Sequence, residues 1–164
     1  KNFFSIIRQK DDLFCLSEYW DEHIQSLMNI FYLMNESFPN AFVLVLVNIG
    51  DVSFSLPNIS FELLLGEKLE AFNIGKKAKK YLKDMFVFSF NSNSLFLEIN
   101  GSYFDYFFID TLNKLGNGAE AIYIISEKSK KLEEACYVAK DIVDLFRIFA
   151  EGEEINTTPI GKIK

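Results

Sequence analysis

Glu98, Asp105 and Asp110 fall within one stretch of strand-like sequence, where neighbouring strands could bring two carboxylates together as an acid and base pair. The alternation of residue types favours a plainer reading. Glu98 lies opposite the Leu95, Leu97 and Ile99 side of its strand, and Asp110 shares parity with Phe104, Tyr106 and Phe108, so each reads as facing solvent. The single imidazole, His23, precedes the apolar position Ile24 and reads as a boundary or surface residue, which leaves no base for a hydrolytic triad. Cys15 and Cys136 lack the spacing of a zinc site or a disulfide framework, so both read as reduced thiols of a cytoplasmic protein. No HExxH, CxxC, GxGxxG or GxxxxGK[ST] pattern occurs. Gly116-Asn117-Gly118 is too short for a phosphate cradle and reads as a flexible connection. The expectation is a chain with no catalytic, cofactor-binding or metal-ligating residues.

Charge narrows the partners. The 164 residues carry a net charge of −6, and a polyanion is bound through Lys and Arg that release its counterions. Nucleic acid is therefore disfavoured and a basic protein suits the charge better. Lys76, Lys77, Lys79, Lys80 and Lys83 are interleaved only by Tyr81 as an aromatic and read as a solvated helical face. Glu151, Glu153 and Glu154 sit where acid opposes a helix dipole, so they serve solubility or attract a partner rather than stabilise that end. The longest strictly apolar run, Ala41 to Val47, spans seven residues against about 20 for a membrane helix, so no membrane span is expected. Phe3, Phe4, Ile6 and Ile7 are too short a patch for a whole secretory signal.

The elements that position these residues follow from periodicity. With 49% hydrophobic residues and 18 Phe, the chain has the apolar mass for one domain, with 1–16 and 152–164 as peripheral or frayed ends. Ser17 ahead of Glu18, Asp21 and Glu22 predicts a helix start, and Ile24, Leu27, Met28, Phe31 and Met34 paint one face of that helix up to Phe38-Pro39. Residues 41–49 are open between helix and strand. If they are a strand, Asn48 to Asp51 would turn it into a second over Val52–Leu56; Leu63–Leu65 and Leu69–Phe72 read as short helical pieces. A meander follows. Phe86, Phe88 and Phe90 share one face, Leu95, Leu97 and Ile99 share another, Asn100-Gly101 turns into Tyr103–Asp110, and Ala121–Ile125 is a further strand. Leu132, Ala135, Val138, Ala139, Ile142, Leu145, Phe146 and Phe149 predict one long helix lying across the sheet. The fold class is thus α+β, an antiparallel sheet of about four to six strands packed against helices.

This order of elements resembles the SUKH superfamily, which includes yeast cell-wall assembly regulators and many bacterial immunity proteins. The resemblance rests on Phe38-Pro39-Asn40-Ala41-Phe42 through Ile49-Gly50, on Tyr81 to Phe88, and on the closing segment from Glu120 to Phe149. It implies a helix over Pro39–Asn48 and a sheet that forms a surface for other proteins. It also implies a partner: a cognate protein toxin, often a nuclease, neutralised by binding. On that reading the contact surface is Glu98, Tyr103, Asp105, Tyr106 and Asp110, acid for encounter and aromatics for anchoring. A small-ligand sensor with an apolar pocket between sheet and helix is the alternative. The oligomeric state is left open.

Overall fold

A computed structural model describes residues 15–17, 51–56, 59–63, 69, 71, 73, 82, 85–91 and 105–161. The fold is α+β, and the described residues form seven strands where about four to six were expected. In chain order they are β1 (Cys15–Ser17), β2 (Asp51–Leu56), β3 (Ile59–Leu63), β4 (Phe86–Asn91), β5 (Asp105–Ile109), β6 (Ile122–Ser126) and β7 (Cys136–Ala139). Spatial order equals sequence order and every pairing is antiparallel, so the sheet is a continuous meander. A 10-residue helix, α1 (Ile142–Glu151), follows β7.

The strands over 86–91, 105–109 and 122–126 stand where alternation and β-branched content put them. Three pieces of the expected sheet differ. Ile59–Leu63 is a strand, so Leu63 does not begin a helical piece. Both edges of β5 are taken, by β4 (Asn91 opposite Asp105) and by β6 (Asp105 opposite Ser126), so residues 105–109 are not the partner expected for Leu95–Ile99, which lies outside the described residues. The alternation of Phe86, Phe88 and Phe90 is broken by a bulge: Val87 opposes Phe108, Ser89 opposes Phe107, and Phe88 is the extra residue. Position 90 then pairs with Tyr106 rather than falling in the Phe107 row.

The long closing helix is also shorter than its apolar stripe suggests. Leu132–Glu134 is a single 3-10 turn, and Cys136-Tyr137-Val138-Ala139 extends to pair with β6. A second bulge, at Val138, lets residues with helical spacing still bury Ala135, Cys136, Val138 and Ala139. The helix starts only after Asp141, whose backbone is extended and whose Oδ1 accepts the Asp144 N–H at 2.7 Å. It stops at Gly152, where φ is 72° and the N–H reaches back to the last carbonyls, with Glu153 N donating to Ile148 O at 3.0 Å.

One face of the sheet is sealed by α1 through phenylalanines. The Phe61 ring lies 5.5 Å from Phe107, 5.7 Å from Phe146 and 5.3 Å from Phe149, and Phe88 lies 6.3 Å from Phe107. These tilted and edge-on contacts tie β3, β4 and β5 to the helix, each worth about 0.5–1.5 kcal/mol beyond the area buried. The opposite face carries a second aromatic row in register, Phe108 stacked on Tyr123 at 5.4 Å and Tyr123 edge-on to Tyr137 at 5.7 Å. All residues of β5 and β6 are buried.

A side chain completes the sheet where strand pairing stops. β3 opposes β4 only from Ser89 to Asn91. Nearer the start of β4, Asn73 takes that place: its Oδ1 accepts the Val87 N–H at 2.8 Å, and its Nδ2 donates to Val87 O at 2.7 Å and to Leu69 O at 2.9 Å. Leu69, Ala71 and Asn73 are helical, in keeping with the piece expected over Leu69–Phe72.

Ser17, expected to cap the first helix, lies in β1. The helix itself, His23, residues 41–49, the lysines of 76–83, Glu98 and Tyr103 lie outside the described residues.

Candidate functional site

The expected contact residues that the structure describes are interior. Asp105 opens β5 with no exposed surface, set in register between Asn91 and Ser126. Tyr106 is 8% exposed, and its phenol is pushed up to about 12, first by burial and then by Glu127. Asp110 is fully buried at the far end of β5. In this fold none of the three is set at the surface.

The carboxylate-pair reading also fails for Asp105 and Asp110. Five residues of extended chain separate them, about 17 Å, and they fall on opposite parities of one strand. An acid and base pair flanking a bond works at about 5–9.5 Å. Asp110 has a different task. Its Oδ1 accepts the Lys114 N–H at 2.9 Å and its Oδ2 the Leu115 N–H at 2.8 Å, so both oxygens fold the chain back after β5. Asn113, at φ 53°, accepts the Gly118 N–H at 2.8 Å, and Asn117 donates to the Tyr123 hydroxyl at 2.9 Å. Residues 110–118 are therefore a hydrogen-bonded loop rather than a flexible connection.

Cys136 is a free, buried thiol. Burial, and secondarily the Asp105 carboxylate, push it up to about 11, so it stays protonated and unreactive at neutral pH. Among the described residues no group of three or more His, Cys, Asp or Glu could hold a metal ion. Among those residues no helix is long and apolar enough to cross a membrane.

What the structure does bring to the surface is acid around α1. From 140 to 154 five carboxylates stand against Lys140 and Arg147. Arg147 gathers three of them: Nε and Nη2 lie 3.0 and 2.9 Å from Asp144 Oδ1, and Nη1 lies 2.7 Å from Glu151 Oε2 and 3.0 Å from Glu153 Oε1. The three partners, Asp144 before the others, raise the guanidinium pKa further above its ordinary value. The Glu151 and Glu153 side chains remain about half exposed and Glu154 is exposed.

This array answers the puzzle of acid at a helix end, because one cation offsets the unfavourable dipole without making the surface neutral. Its signal was present in the sequence as Asp144, Arg147 and Glu151 at three-and-four spacing. The bond to Glu153 was not readable, since it depends on the left-handed turn at Gly152. Comparison with protein-family models, curated proteins and solved structures finds no match to this chain.

Proposed function

We propose that this chain is a non-enzymatic protein-binding domain of the SUKH type, a cytoplasmic immunity protein that neutralises a cognate basic toxin, of the nuclease kind, by covering its surface. The observation that carries the reading is the Arg147 array. Exposed ion pairs add little to stability, so their consequence is geometric: Asp144, Glu151 and Glu153 are held as one anionic patch on a helix anchored in the core. A preorganised patch loses less side-chain freedom on binding, and its field speeds encounter with a positive surface. The commitment of both Asp110 oxygens to the loop supports binding over catalysis at that carboxylate.

The contact surface under this proposal is Asp144, Glu151, Glu153 and Glu154. Mixing the purified chain with the toxin encoded beside it should abolish the toxin's activity at a one-to-one ratio. Full activity with every neighbouring candidate would overturn the proposal.

A further inference from the structure

The loop between β5 and β6 carries a dipeptide with chemistry of its own. An asparagine followed by glycine closes to a succinimide more readily than other pairs, because glycine has no Cβ to crowd the attack and turns freely about φ. Asn117-Gly118 is such a pair, and Asn117 is exposed to solvent. Two hydrogen bonds hold the reacting atoms apart. The Gly118 N–H, whose nitrogen is the nucleophile of that closure, donates to Asn113 Oδ1 at 2.8 Å, and the Asn117 amide nitrogen, its leaving group, donates to the buried Tyr123 hydroxyl at 2.9 Å. Asn113 reaches Gly118 from a left-handed residue at φ 53°, with its own N–H on Asp110 O at 3.1 Å. Tyr123 is fixed between the rings of Phe108 and Tyr137.

We propose that Asn117-Gly118 is a deamidation site that Asn113 and Tyr123 hold closed in the folded chain. When the loop opens, hydroxide removes the Gly118 amide proton and the nitrogen attacks Asn117 Cγ. The Cγ–Nδ2 bond then breaks, and Nδ2 takes a proton from water and leaves as ammonia. Water opens the imide to aspartate or isoaspartate, which adds one negative charge to the loop. In the closed loop the Gly118 proton is engaged by Asn113, and the Tyr123 tether keeps Cγ from swinging onto the nitrogen. Deamidation therefore waits on local opening, as amide exchange does.

Incubation of the full chain in mildly alkaline buffer tests this, with peptide mapping by mass spectrometry to separate Asn117 from the other such pair, Asn100-Gly101. Conversion at Asn117 should be at least about tenfold slower in the folded chain than in urea, the scale on which ordinary hydrogen bonds shift a local equilibrium. Asn113→Gly keeps the left-handed residue and removes the acceptor. It should raise conversion at Asn117 and exchange of the Gly118 amide together, by about tenfold, with unchanged circular dichroism. Asn113→Asp retains an acceptor oxygen and should stay slow. Equal rates in folded and urea-unfolded wild type overturn the proposal, as does a folded Asn113→Gly chain that converts no faster, or an Asn113→Asp chain as fast as the glycine variant. If Asn113→Gly unfolds, Tyr123→Phe, which removes only the hydroxyl, should speed conversion in smaller degree; no change there overturns the proposal equally.

Discussion

The side chain of Asn73 pairs with the backbone of Val87 as a neighbouring strand would, accepting its N–H at 2.8 Å and donating to its carbonyl at 2.7 Å. Val87 is 1% exposed, so neither group has water to fall back on. The pair lies one residue before the Phe88 bulge. It joins the helical residues around Leu69 to the sheet just where β3 no longer reaches.

Asn73→Leu should therefore destabilise the fold by about 2–6 kcal/mol, since two buried backbone groups lose their partners at about 1–3 kcal/mol each. Asn73→Asp keeps the acceptor but sets a charge against the Val87 and Leu69 carbonyls, and should do no better. Urea denaturation monitored by circular dichroism reads both as a lower midpoint. An unchanged midpoint would mean the amide is dispensable.

Asp110→Asn should cost about 1–3 kcal/mol, because the amide nitrogen turns a donor toward the N–H of Lys114 or Leu115. Asp110→Ala should cost at least as much. If the loop over 110–118 is organised by this carboxylate, amide exchange at Lys114, Leu115 and Gly118 rises together in both variants.

Gly152→Ala should cost about 1–2 kcal/mol, the penalty of a left-handed residue with a Cβ, although the space around it is open. The thermal midpoint reads the loss. No loss would mean the turn relaxes to another conformation, and the Glu153 contact to Arg147 would then be absent.

Alkaline pH should weaken the fold. Burial holds the Cys136 thiol up at about 11 and the Tyr106 phenol at about 12, and raises Tyr123 and Tyr137 as well. The unfolded chain loses these protons at ordinary values of 9.0 and 10.0, before the folded chain does. These groups therefore leave stability unchanged below pH 9 and lower it as pH rises from 9 through 12. A urea midpoint equal at pH 8 and pH 10.5 would contradict this.

The strands of the sheet were legible where local pattern suffices: Phe86–Phe90, Tyr103–Asp110 and Ala121–Ile125 overlap β4, β5 and β6, with Asn91 and Ser126 each one residue beyond the expected end. The last helix was misjudged because Leu132, Ala135, Val138 and Ala139 fit a helical stripe, and a bulge in β7 mimics that spacing. Asp141 with Asp144 three residues on was the missed sign of a helix start. Asp105 and Asp110 were misplaced for a non-local reason. Parity tells which residues share a face, and it cannot tell that both faces are covered. The acid of Glu151 and Glu153 was visible, whereas its capture by Arg147 required the turn at Gly152.

Stopped-flow association with the neighbouring toxin, across ionic strength, tests the masking proposal most directly. Steering by Asp144, Glu151, Glu153 and Glu154 predicts a one-to-one complex whose association slows about tenfold or more as salt screens the patch. The triple substitution Glu151→Lys, Glu153→Lys and Glu154→Lys should slow it further at low salt while leaving the folded spectrum unchanged. A complex whose association rate ignores both salt and charge reversal, or no complex with any neighbouring toxin, would contradict it.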